Sequence, residues 1–131
     1  MPFLSKDLLS SYNECVPYPE VQDAFRRSPE YIQKVHEDAL ADHFKSVANM
    51  LCLRNSRRED KPLVIALDPC AFHYYLYGQQ KFLSSHLRSL LGSPEEAEIY
   101  YKQRYNEAFP GFEIDVKRRA NEEYAYTVVI A

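Results

Sequence analysis
From Pro29 to Arg54 the chain has no glycine and no proline after its first residue, and that run constrains everything else. Ile32, Val35, Ala39, Leu40, Phe44, Val47, Met50 and Leu51 fall on one broad face at about 100° per residue, while Lys34, Glu37, Asp38, Asp42, Lys45 and Asn49 fall on the other. Ser28 can cap the first free N–H groups. Pro29 loses nothing by lacking one, and Glu30 meets the positive end of the helix dipole. The pattern predicts one helix of roughly 39 Å, as long as a small domain is wide. It should end near Arg54 and Asn55, where basic side chains suit the negative end of the dipole.

His36 and His43 lie within the apolar stripe, seven residues apart and therefore on one side. Two readings stand. They are histidines at the core margin, each hydrogen-bonded to a carbonyl or water. Otherwise they form a metal or acid–base pair, which their separation of about 10 Å along the helix makes difficult and which lacks the i, i+4 spacing of helical zinc sites.

A chain of 131 residues is expected to form a single domain, 1–131, with a real core. Hydrophobic residues make up 46% and charged residues 27%, which excludes wholesale disorder. Net charge is −3, so nucleic acid remains possible as a partner but without support from the charge balance. Eleven tyrosines against three glycines and no tryptophan suggest a helix-rich body with polar-tipped rings at the core boundary. Cys15, Cys52 and Cys70 are odd in number and form no CxxC, so buried, reduced thiols and a cytoplasmic, intracellular setting are expected. No apolar run approaches the ~20 residues of a membrane span, and the N-terminus lacks the pattern of a signal peptide.

In chain order, a short helix carrying Leu8, Leu9 and Tyr12 is expected first. An extended link follows at Pro17 and Pro19, then a second short helix over Val21, Ala24 and Phe25. After the long helix, Arg54 to Pro62 reads as a polar surface loop. Leu63-Val64-Ile65-Ala66-Leu67 reads as a strand inside the sheet, covered on both faces. Asp68-Pro69 opens a helix expected to run to Leu91, with Leu83 and Leu87 on its inner face and Gly78 as a weak point costing about 1 kcal/mol relative to Ala. The spacing of Cys70 and His73 is only half of a zinc site. Gly92 ends that helix, Ser93 and Glu96 form a capping box for the next, and Pro110-Gly111 stops it. Tyr101 and Tyr105 should form a packing seam rather than a base-stacking platform. Phe112, Ile114 and Val116 alternate with charged residues as one strand. Asn121 lies in the turn, and Tyr124 to Ala131 forms a second strand, apolar on both faces near its end, between its hairpin partner and Leu63–Leu67. The expectation is an α+β fold: about five helices packed on a small, mainly antiparallel three-stranded sheet with a C-terminal hairpin.

Asp115-Val116-Lys117 places an acid and a lysine on the same side of a strand. With a further carboxylate such as Asp68, the set could hold Mg²⁺ for phosphoryl transfer. The triplet resembles the D/E-x-K signature of restriction-endonuclease-like nucleases. That resemblance implies a metal-dependent nuclease-like phosphodiesterase using Asp68, Asp115 and Lys117. It covers these residues alone, and the preceding acidic strand and following helix of that family are missing. There is no Gly-rich phosphate loop and no GxSxG elbow. Pairs of Cys52 or Cys70 with a histidine lack a defined nucleophile setting.

No cluster demands a reaction or a cofactor. The leading expectation is a non-enzymatic protein–protein interaction or structural/assembly module, with a protein partner or self-association and no membrane. Tyrosine and arginine are favoured at interfaces, which selects Arg57, Arg58, Tyr74, Tyr77, Arg118 and Arg119 as partner-binding candidates.

Overall fold
A computed structural model describes residues 29–72 and 83–131. Helix α1, Pro29–Ser56, is the long helix expected, with Glu30 in its first turn and Arg54 in its last. Val35, Leu40 and Val47 along its inner stripe are fully buried. Arg58 then turns the chain through a left-handed backbone (φ 53°) into β1, Leu63–Leu67. A single 3₁₀ turn follows at Pro69–Ala71. Helix α2 is Ser84–Leu91 and helix α3 is Pro94–Ala108. The hairpin strands β2, Ile114–Arg118, and β3, Tyr126–Ile130, complete the order.

The sheet runs β1-β3-β2 with both pairings antiparallel. β3 is central, as its two apolar faces required. Tyr126, Val128 and Ile130 point into the core and are fully buried, while Thr127 and Val129 on the other face are half-buried. Asn121 takes the left-handed angle in the turn (φ 67°), and the Arg119 N–H donates to the Ala125 carbonyl to close the hairpin. Helix α3 lies along β2, and Tyr101 meets the ring of Tyr126 at 5.5 Å between centroids.

Local sequence explains the α2–α3 junction. Gly92 has φ +84°, which an L side chain rarely adopts, and its N–H donates to the Arg88 carbonyl. Ser93 Oγ accepts from the Glu96 N–H at 3.2 Å, and Pro94 takes the first helical position. The hydroxyls of Tyr124 and Tyr126 donate to the carbonyls of Gly92 and Pro94, tying this junction to the sheet.

Several expectations are corrected. The described residues hold three α-helices, not about five. The two short helices expected before Pro29 lie outside the described residues, as do Gly78 and the Cys70–His73 spacing. The single helix expected from Pro69 to Leu91 does not exist: Leu83 is extended (φ −80°, ψ 153°), and α2 begins after it. Leu83 is 60% exposed, not on the inner face. Among the described residues β1 is an edge strand, not an interior one; Ile65 and Leu67 face the core, but Val64 is 64% exposed on the other side. Phe112 is exposed and precedes the strand it was expected to join. Cys52 is exposed, and neither it nor Cys70 is in a disulfide.

Candidate functional site
Two features of the described residues carry polar chemistry or open surface. The first is a set of side-chain bonds between α1 and α3. His36 Nε2 is hydrogen-bonded to the Tyr101 hydroxyl at 2.7 Å, and His43 Nε2 to the Tyr105 hydroxyl. Between them, Arg104 clamps Glu37 with both terminal nitrogens at 2.7 and 2.9 Å, and Tyr100 donates to the same carboxylate at 3.1 Å. The spacing is simple: residues 36 and 43 are two turns apart on α1, and 101 and 105 are one turn apart on α3, so both helices present polar tips along their facing sides.

Burial dominates the electrostatics there. It holds both imidazoles down to about 4, so both are neutral at pH 7. It also raises the Tyr101 and Tyr105 hydroxyls above their ordinary value, so neither ionises. The Arg104 hydrogen bonds hold the Glu37 carboxyl below its usual range. Glu37 lies 3.9 Å from His36 Nδ1, which favours the proton on Nδ1 and leaves Nε2 to accept from Tyr101. Each group is satisfied by another, and no described group of three His, Cys, Asp or Glu could hold a metal ion. The partners of the two histidines are tyrosine hydroxyls rather than the carbonyls or water expected; His36 is buried in the core rather than at its margin, while His43 also lines a cavity beside β1.

The second feature is the outer edge of β1. Among the described residues, no group outside β3 bonds to the backbone of Leu63–Leu67. The opposite edge is different. β2 carries Asp115, Lys117 and Arg118, and a Glu98 carboxylate oxygen accepts from the Arg118 N–H at 2.9 Å. Charges and a side-chain cover are the usual protection of a sheet edge, and β1 has neither within its five residues. One flank of α1 runs beside β1, leaving two cavities between them. One, of about 500 Å³, is lined by Asp42, His43, Ser46, Ala66, Asp68 and Arg119 among others; the other, of about 310 Å³, by Met50, Leu53, Arg57 and Leu63 among others.

The residues singled out in the sequence scatter. Asp115 and Lys117 share the outward face of β2 and pair with each other at 3.6 Å. Asp68 lines the larger cavity, where neither of them is found. Arg57 and Arg119 border the two ends of β1, Arg119 also lying 3.7 Å from Glu122. Arg58 lines a separate cavity with Arg54 and Ala131, and Arg118 pairs with Glu95 at 3.3 Å. Tyr74 and Tyr77 lie outside the described residues. The residues of the β1 edge that sequence reasoning missed are Val64 and Ala66, which face outward. Their signal was available: placing β3 between two other strands of a three-stranded sheet already makes β1 an edge.

The described residues form an α+β fold in which Glu98 bonds to one sheet edge and no described group outside β3 bonds to the other. No family model, no curated protein and no solved structure matches the chain. No helix among the described residues is long and apolar enough to cross a membrane.

Proposed function
We propose that the chain is a non-enzymatic protein-interaction or assembly module that binds its partner along the outer edge of β1. The observation that carries this is the edge of Leu63–Leu67, to which no described group outside β3 bonds, with Val64 64% exposed beside it. Backbone N–H and C=O groups aligned along such an edge are a template for a further strand, and exposed apolar side chains beside them add burial when one arrives. The bonds between α1 and α3 fit the same reading: His36 with Tyr101, His43 with Tyr105 and Glu37 with Arg104 hold the two helices together.

Site-specific photocrosslinking tests this. Benzoylphenylalanine in place of Val64 should give a discrete covalent adduct with a protein identified by mass spectrometry. The same probe in place of Ile99, which is 71% exposed on α3, should not. No adduct from position 64, or the same adducts from both positions, would overturn the assignment.

A further inference from the structure
We propose that the cavity between the last turns of α1 and the start of β1 takes an acidic peptide segment of the partner protein, an apolar side chain with carboxylates on either side of it. The inference rests on the interaction-module reading and gives the chemistry of its partner. The cavity, of about 310 Å³, is at the small end of the ~300–1,000 Å³ typical of ligand sites, so it fits one or two side chains rather than a large cofactor. Met50, Leu53, Pro62 and Leu63 make its lining largely apolar, and Leu53 is 45% exposed. Arg54, Arg57, Glu59 and Lys61 supply the charges.

Those charges are unequal. Arg54 is engaged by the fold, donating to the carbonyls of Ile130 and Ala131 at 2.9 and 3.4 Å. Arg57 and Lys61 are exposed, and among the described residues neither side chain has a hydrogen bond or ion pair. Glu59 stands between them in the sequence yet pairs with neither. Two such cations over an apolar lining complement a carboxylate that adjoins an apolar side chain. A small anion alone would leave Met50, Leu53 and Leu63 without a contact. Nucleic acid suits the cavity less: no aromatic ring is among its described lining residues for a base to stack on, and Glu59 and Asp60 in the same turn repel phosphate.

Fluorescence anisotropy with the full chain at low salt tests the proposal, with circular dichroism confirming that each variant is folded. The probe is a labelled synthetic peptide with one leucine flanked on both sides by glutamates. It should bind the wild type, and roughly tenfold or more weakly once its leucine is replaced by serine or its glutamates by lysines. Arg57→Glu combined with Lys61→Glu should reverse the preference, weakening the glutamate peptide and strengthening the lysine one. Leu53→Asp should weaken the glutamate peptide. No binding up to about 1 mM would overturn the proposal. So would binding indifferent to these substitutions, equal binding of the serine peptide, or a single-stranded oligothymidine that binds more tightly than the glutamate peptide. A discrete adduct from position 64 that forms equally with the double variant would overturn the acidic partner while leaving the interaction module standing.

Discussion

His36 Nε2 lies 2.7 Å from the Tyr101 hydroxyl, where neither side chain reaches water. Burial depresses the imidazole from 6.5 to about 4. An unfolded chain takes up this proton near pH 6.5 and the folded chain only near 4, so protons favour the unfolded state. The contribution of His36 is complete above pH 6.5, falls as pH drops towards 4, and amounts to on the order of 3 kcal/mol when fully lost. His43 acts in the same direction. Urea midpoints measured from pH 7.5 to 4 should fall steadily over that window. His36→Gln, which keeps a hydrogen-bonding side chain but does not titrate there, should flatten the slope; an unchanged slope would remove His36 as its source.

Tyr101→Phe should cost about 1–3 kcal/mol, because it leaves a buried imidazole nitrogen without its partner. Tyr100→Phe should cost less, since its half-exposed hydroxyl shares Glu37 with Arg104. Chemical denaturation of both variants orders the two effects, and the reverse order would contradict the pairing described.

The long helix, the hairpin and the central place of β3 were legible because each has a local signature: Ser28-Pro29-Glu30, Asn121 in the turn, and apolar residues on both faces of Tyr124–Ala131. The break at Leu83 was not. Leu83, Leu87 and Leu90 keep helical spacing across it, and no proline or glycine stands at the junction. The His–Tyr bonds join residues 62 and 65 positions apart, a distance over which periodicity says nothing. The β1 edge was misread because a run such as Leu63–Leu67 looks the same at the edge of a sheet as inside it.

Ile130→Ala should be among the costlier core substitutions, about 2–5 kcal/mol. Ile130 is fully buried on the central strand, opposite Leu63 on one side and Ile114 on the other, while Arg54 donates to its carbonyl at 2.9 Å. Val129→Ala, on the half-buried face, should cost clearly less. Thermal unfolding of the pair checks the assignment of faces, and equal losses would contradict it.

Adding Mg²⁺ or Mn²⁺ should leave the melting temperature unchanged, because Asp115 is paired with Lys117 and Asp68 lies in a cavity that contains neither. A rise in melting temperature that Asp115→Asn abolishes would favour the nuclease-like alternative.

Amide hydrogen exchange with and without the protein captured from position 64 tests the role of the β1 edge most directly. The amides of Leu63–Leu67 should gain protection when that partner is added, while those of Ile114–Arg118 stay as they are. Exchange in β1 that the partner leaves unchanged would contradict binding along that edge.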